Sequence, residues 1–179
     1  MLRTALVVVL LVFVGVAAGD QTSSEYVPIL FKTCKSMFEV ISVESTSCPM
    51  DSENRCIFTH GDRPRIRIGF KPDRDVQSLH AQVRAKIEDT FVTFHLENED
   101  VCKGQNVTCP LKAGQLYYYS QEVNIVREYP PLEVMVNWLL NDPSTYEDKK
   151  EPYYDEDGER VKNDLCVVFL GKVNEKPEA

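Results

Sequence analysis

The chain has 179 residues, of which 43% are hydrophobic and 27% charged, and it carries a net charge of −8 at pH 7. This length is sufficient for one domain with its own hydrophobic core. An acidic chain lacks the basic surface that nucleic acids and anionic lipid headgroups require, so any contact with lipid must be mainly apolar.

The N-terminus has the pattern of a secretory signal peptide. Arg3 precedes an apolar run over 5–16, and Ala17 and Gly19 are small residues at the −3 and −1 positions of a cleavage site. The alternative, a membrane anchor, is disfavoured because the run is short for a bilayer span. We therefore predict a signal peptide over 1–19 and a single mature domain over 20–179.

Alternation of apolar and polar side chains, which places the apolar set on one face of a β-strand, recurs along the mature chain. In chain order, the clearest candidates cover 38–43, 66–70, 79–88, 117–125, 132–140 and 165–173. No segment keeps helical periodicity for three turns, and Gly, Pro, Asn and Asp separate the strands. The pattern predicts an all-β fold, an antiparallel immunoglobulin-like sandwich of about seven strands.

Two loops carry further signals. Asn106-Val107-Thr108 is an acceptor triplet for N-glycosylation in a polar loop between two cysteines, and we predict a glycan on Asn106. The segment 141–163 is acidic, contains two prolines and has no apolar face, which predicts a long solvated loop. A calcium site at Asp155, Asp157 and Glu159 is the alternative, but the spacing is not that of an EF-hand.

Six cysteines follow the predicted signal peptide: Cys34, Cys48, Cys56, Cys102, Cys109 and Cys166. An even number in an exported chain predicts three disulfides, and spacing alone leaves fifteen connectivities open. Zinc binding is the alternative, but it favours close cysteine pairs with shorter gaps than these. We expect no metal site.

No catalytic pattern is present in the sequence. His60, His80 and His95 belong to no recognisable triad or metal motif, and nucleophile elbows and phosphate-binding glycine loops are absent. We therefore predict that the protein is not an enzyme and needs no cofactor. The large apolar residues of the strands fit either a filled core or a ligand cavity, and periodicity leaves both open.

The cysteine contexts resemble a known family. The short sequence motifs that carry the resemblance are, in chain order, Phe31-Lys32-Thr33-Cys34, Cys48-Pro49, Cys102-Lys103-Gly104, Cys109-Pro110-Leu111, Tyr117 to Tyr119, Glu128-Tyr129-Pro130, the strand containing Trp138, and Leu165-Cys166. Together they resemble the secreted lipid-recognition (ML) domain family, and within it the Niemann-Pick type C-2-like sterol-binding proteins. The resemblance covers nearly all of 28–173.

The resemblance implies a disulfide pairing and a pocket between the two sheets. The implied pairs are Cys34–Cys166, Cys48–Cys56 and Cys102–Cys109. Residues near the mouth would be Phe94, Ile125, Tyr129 and Pro130, and the interior would be lined by Phe58, Val123, Val136, Trp138, Val167 and Phe169. Ordinary core packing is the alternative for each of these residues.

The function implied is the transport of a sterol or fatty-acid-like lipid by a secreted monomer, extracellular or lysosomal, that hands its ligand to a membrane protein or surface. The main alternative is an innate-immune protein that binds bacterial glycolipid. Glu97, Glu99, Asp100 and Glu128, which we place at the mouth, argue against an anionic ligand. A structural protein with a filled core is the third alternative.

Two departures from the family pattern affect this prediction. A proline-rich stretch that the family has before the cysteine matching Cys102 is replaced by 93–98, which we place at the mouth, so the identity of the ligand stays open. The acidic segment 141–163 is also longer than the usual turn, and it could cover a rim, bind a partner or do neither.

Overall fold

The computed structural model describes residues 26–87, 90–103, 106–146 and 163–177. The predicted signal peptide, the predicted calcium ligands and most of the acidic segment lie outside these ranges. In chain order, the elements are β1 Val27–Pro28, β2 Phe31–Thr33, β3 Glu39–Ser45, β4 Cys56–Thr59, β5 Arg65–Lys71, β6 His80–Ile87, β7 Thr90–Phe94, β8 Tyr117–Glu122, β9 Glu133–Asn141, α1 Pro143–Tyr146 and β10 Leu165–Asn174.

The strands form two sheets, which confirms the predicted all-β sandwich. The first sheet has the order β1-β3-β5-β8, and the second has the order β2-β10-β9-β6-β7. The strand β4 also joins the second sheet, beside β2 on the same edge of β10, and it is the one described strand that runs parallel to its partner. All other named pairs are antiparallel.

The alternation in the sequence explains which residues face the interior. In β6, the side chains of Ala81, Val83 and Ala85 are buried, whereas the intervening polar residues are partly exposed. A strand presents alternate residues to opposite faces, so this apolar set faces the other sheet. At 25 cal/mol per Å² of apolar surface removed from water, burial of such side chains is the main stabilising contribution.

Aromatic side chains fill the space between the sheets. Tyr119 of β8 and Trp138 of β9 meet edge to face across the sandwich, with ring centroids 6.1 Å apart. Phe38, just before β3, stacks on Phe70 of β5 with ring centroids 5.9 Å apart. These aromatic side chains fill one part of the space between the sheets. The part that they leave unfilled is a cavity next to Trp138.

The three disulfides have the pairing that the family resemblance implies. Cys34–Cys166 joins the end of β2 to β10 over a sequence separation of 132, whereas Cys48–Cys56 and Cys102–Cys109 close short loops. All six cysteines are therefore used in disulfides, which leaves none to bind zinc.

The predicted loop over 141–163 is shorter at both ends than expected. Asn141 is the last residue of β9, Asp142 is buried, and α1 follows directly. The reason is a polar clamp: the buried carboxylate of Asp164 accepts a hydrogen bond from the Asp142 backbone N–H at 2.7 Å and pairs with Arg74 at the same distance. The clamp holds both ends of the acidic segment at the sheet.

Neither a membrane-spanning helix nor a metal-binding cluster is found in the part of the chain that the structure describes. None of its helices is long and apolar enough to cross a bilayer. Its His, Cys, Asp and Glu side chains form no group of three or more that could hold a metal ion.

Candidate lipid-binding site

An apolar slot lies between the two sheets. Its volume is about 60 Å³. The wall is made by side chains of both sheets and the loops between them: Phe58, Pro64, Ile66, Val83, Ala85, Phe94, Leu96, Val123, Ile125, Tyr129, Val134, Val136, Trp138, Phe169 and Val173. Because a volume of about 10–15 Å³ holds one water, the slot admits only a few small groups as it stands.

The register of the second sheet sets the inner wall. Val136 of β9 lies opposite Ala85 of β6 and Phe169 of β10, so these three side chains form one row across the sheet. Trp138 forms the next row with Val83. Because the side chain of Ala85 is much smaller than those of Phe169 and Trp138, this wall has an uneven surface.

The opposite wall is completed by a segment that follows β8 and is not itself a strand. The backbone N–H of Val123 donates to the Pro64 carbonyl at 2.9 Å, and that of Ile125 donates to the Asp62 carbonyl at 3.0 Å. The Gly61 N–H donates to the Ile125 carbonyl at 2.7 Å. These bonds hold both apolar side chains against the slot.

Phe94 and Tyr129 separate the slot from an open cleft. Their rings meet edge to face with centroids 4.9 Å apart, and both residues border the two cavities. The Nε2–H of His60 donates to the Tyr129 carbonyl oxygen at 2.8 Å, which fixes the backbone of this residue. Burial raises the pKa of the Tyr129 phenol, and the nearby Glu128 acts in the same direction.

The cleft outside this aromatic pair has a volume of about 430 Å³ and a mixed wall. Among the described residues, Glu128 and His95 are the titratable side chains other than Tyr129 that line it, and no Lys or Arg does so. The other lining residues are apolar or neutral: Ile87, Val92, Thr93, Phe94, Pro130, Leu132, Val134 and Val173. Such a surface is suited to a neutral headgroup.

The structure corrects the expected position of three acidic residues. Glu97, Glu99 and Asp100 do not line the cleft. The Glu99 carbonyl accepts a hydrogen bond from the Ala81 N–H at 2.8 Å, and Asp100 forms a bridge with His80. Both contacts lie at the start of β6, whereas the cleft borders its other end at Ile87. Only Glu128 of the four lies where we placed it.

Eight of the ten residues that the resemblance places at the pocket lie on the slot wall: Phe58, Phe94, Val123, Ile125, Tyr129, Val136, Trp138 and Phe169. Pro130 lines the outer cleft instead. Val167 is fully buried but is not on the slot wall; it lies opposite Trp138 on β10 and packs into the closed core.

Sequence reasoning missed seven wall residues: Pro64, Ile66, Val83, Ala85, Leu96, Val134 and Val173. Five of them, Ile66, Val83, Ala85, Val134 and Val173, belong to the apolar face of a predicted strand, and that alternation was the available signal. It identifies the inner face of a strand but does not tell which of its residues borders a void.

Asn106, the predicted glycosylation site, is exposed. Its backbone has a φ of 60°, and its amide nitrogen donates to the Ser120 hydroxyl at 3.2 Å. The exposed position is compatible with a glycan, and glycosylation stays a prediction.

The fold and the site together define a class: a disulfide-linked β-sandwich that encloses an apolar slot between its sheets. The family model of the ML domain matches residues 28–147. The chain therefore belongs to the ML-domain family, in its Niemann-Pick type C2-like group.

Individual relatives agree with this assignment. The chain is 33% identical to the Caenorhabditis elegans protein heh-1, covering 94% of this chain and 98% of that protein. It is 30% identical to the mouse NPC intracellular cholesterol transporter 2, covering 67% of this chain and 78% of that protein. The crystal structure of a Niemann-Pick type C2 protein from the Japanese carpenter ant matches in fold, with a TM-score of 0.64 at 23% identity over 82% of this chain and 100% of that one.

Proposed function

We propose that the protein is a secreted carrier that binds a sterol or fatty-acid-like lipid in the slot between its sheets. The observation that supports this most strongly is the wholly apolar wall of the slot, bordered by the aromatic pair Phe94 and Tyr129. Membership of the ML-domain family, which includes cholesterol transporters, supports it independently. The carrier performs no chemistry, and binding depends on burial alone.

Binding requires the sheets to move apart. Ligand pockets for molecules of this size have volumes of about 300–1,000 Å³, whereas the slot has about 60 Å³. When the sheets separate, the contacts that are lost are those between apolar side chains of the two sheets. The backbone hydrogen bonds within each sheet stay intact. A sterol would bury roughly 300–400 Å² of apolar surface, worth about 8–10 kcal/mol, and part of this offsets the cost of opening.

The ligand enters between Phe94 and Tyr129. Its apolar body passes the aromatic pair, and its polar head stays in the outer cleft, where the Tyr129 phenol can form a hydrogen bond while its ring packs against the ligand. Because the described part of the cleft wall has the acidic Glu128 and neither Lys nor Arg, a neutral hydroxyl is favoured over a phosphorylated headgroup. This favours sterol or fatty alcohol over bacterial glycolipid.

Sterol titration tests the proposal. Trp138 is the single tryptophan of the chain and lies on the slot wall, so excitation of it should produce energy transfer to bound dehydroergosterol, a fluorescent sterol. We expect saturable transfer at one sterol per chain. Phe94→Ala should weaken binding, whereas Phe91→Ala, on the exposed outer part of the same strand, should not. Absence of saturable binding to the wild type would refute the proposal.

Export, glycosylation and ligand transfer complete the proposed function. We infer that 1–19 is removed during secretion, that Asn106 carries a glycan, and that the monomer hands its lipid to a membrane surface or membrane protein, outside the cell or in a lysosome. N-terminal sequencing of the secreted protein should begin at Asp20, and an endoglycosidase should reduce its mass.

A further inference from the structure

The turn over 126–131, here called the entrance turn, carries one of the two aromatic rings that border the slot. Backbone hydrogen bonds fix it at both ends. Before the turn, the Ile125 carbonyl accepts a bond from the Gly61 N–H at 2.7 Å, and after it the Leu132 carbonyl accepts one from the Val173 N–H at 2.9 Å. These bonds join the two ends of the turn to the loop after β4 and to β10.

Between its ends, the entrance turn has a single hydrogen bond to another element in the described part of the chain. The Tyr129 N–H donates to the Val126 carbonyl at 3.2 Å, which is a bond within the turn. Pro130 and Pro131 have no N–H, so they cannot donate one. The bond to another element is the one that the Tyr129 carbonyl accepts from the Nε2–H of His60 at 2.8 Å.

His60 is well placed to serve as a fixed donor. Its backbone N–H donates to the Asn174 carbonyl at the end of β10 at 3.0 Å, and the residue is only 8% exposed. The loop around it is braced by the Asp62 carboxylate, which accepts a hydrogen bond from the Thr59 N–H at 2.9 Å. Because a carbonyl oxygen can only accept, the Nε2 of His60 carries the proton. The middle of the entrance turn is therefore held by one buried imidazole.

His60 itself borders neither the slot nor the outer cleft. Any effect of this side chain on lipid binding must therefore act through Tyr129, whose ring meets that of Phe94 with centroids 4.9 Å apart. Phe94 is held by the pairing of β7 with β6. To widen the entrance on the other side, the backbone of Tyr129 has to move, and this movement breaks its hydrogen bond to His60.

We propose that His60 is a positioning residue of the entrance, which holds Tyr129 in place and thereby sets how fast lipid enters and leaves the slot. This inference rests on the proposed function. The hydrogen bond is present in the empty protein, and because the ligand does not contact His60, it forms again once the ligand has passed. A bond that breaks only during passage slows entry and release alike, so the affinity is nearly independent of it.

The test compares two substitutions of similar size. In His60→Gln, the amide nitrogen is the same number of bonds from Cβ as Nε2 is in histidine, so the donor is retained, whereas the thioether of His60→Met cannot donate. Each full mature protein is loaded with dehydroergosterol and mixed with excess methyl-β-cyclodextrin in a stopped-flow instrument. Release is followed as the loss of energy transfer from Trp138.

We expect release from His60→Met to be about threefold to tenfold faster than from the wild type, the range that corresponds to one net hydrogen bond. Its Kd should stay within about twofold, because entry accelerates by the same factor. His60→Gln should restore the release rate of the wild type. If His60→Met fails to fold, His60→Asn takes its place, since its amide nitrogen is one bond closer to Cβ and falls short of the Tyr129 carbonyl.

Thr46→Val is the matched control. The Thr46 hydroxyl accepts a hydrogen bond from the Arg65 N–H at 3.0 Å, so this variant also loses one bond between a side chain and the backbone of a loop. Thr46 borders neither the slot nor the cleft. We expect a lower Tm and an unchanged release rate, which separates the role of His60 from a general loss of stability.

The possible failures are distinguishable. Equal release from the wild type and His60→Met, or equally fast release from His60→Gln and His60→Met, refutes the role of the His60 hydrogen bond and leaves the carrier function intact. Faster release with a proportionally higher Kd also refutes it, because His60 would then stabilise the bound state rather than the entrance. If dehydroergosterol does not bind to the wild type, the proposed function fails and the inference fails with it.

Discussion

Filling the slot should remove lipid binding without unfolding the protein. Val136 is at the centre of the inner wall, in a row with Ala85 and Phe169. In Val136→Phe, the larger ring would project into a slot of about 60 Å³. The ring would exclude on the order of 100 Å² of ligand contact. At 25 cal/mol per Å² this is about 2.5 kcal/mol, or roughly 60-fold in Kd.

The assay is the dehydroergosterol titration, with thermal unfolding as a check on the fold. Met135→Phe is the matched control, because Met135 is the adjacent residue on β9, faces the other side of the sheet and is absent from the slot wall. We expect its affinity to stay within twofold of the wild type. A folded Val136→Phe variant with unchanged affinity would show that the lipid binds somewhere other than this slot.

Three further predictions concern the scaffold. Replacing Cys34 and Cys166 by Ala should reduce the free energy of unfolding by about 4–5 kcal/mol, since this disulfide closes the longest loop, and denaturant titration measures the loss. Arg74→Met should cost about 3 kcal/mol at neutral pH, because it leaves the buried Asp164 carboxylate without its ion-pair partner. Burial raises the pKa of Asp164, so the folded state holds the proton more tightly than the unfolded state. The cost should therefore appear as pH rises through that pKa and shrink in acid, and a pH-independent loss would contradict this reasoning. Gly171→Ala would place a Cβ 3.1 Å from the Phe58 ring and should weaken sterol binding and lower stability by about 1–2 kcal/mol, which titration and thermal unfolding measure.

The long strands of the sandwich could be predicted from the sequence because each buries one face. The alternation over 79–88 and 132–140 corresponds to β6 and β9, with ends shifted by one residue. The short strands β1, β2 and β4 were missed, because they contain two to four residues and offer too few positions for a period to be recognised. The strand β7 was missed for another reason: four of its five residues are exposed, so it lacks an apolar face.

The slot could be predicted only in part, because it depends on three-dimensional packing. Val123 and Ile125 continue the inward pattern of β8, but backbone bonds to the loop at 61–64 hold them in place rather than a strand. Gln121 interrupts that same apolar pattern, although its side chain is buried in the structure. The distance between the sheets has no counterpart in the sequence, so the choice between a filled core and a void required coordinates.

The most direct test of the central claim is native mass spectrometry of the protein purified from the medium of cells that secrete it. The account predicts a complex of one chain with one lipid, from which organic solvent releases a sterol or a fatty-acid-like lipid. Val136→Phe, purified in the same way, should have the mass of the chain alone. A wild-type protein that has only the mass of the chain, and that gains no lipid when incubated with sterol-loaded vesicles, would contradict the account.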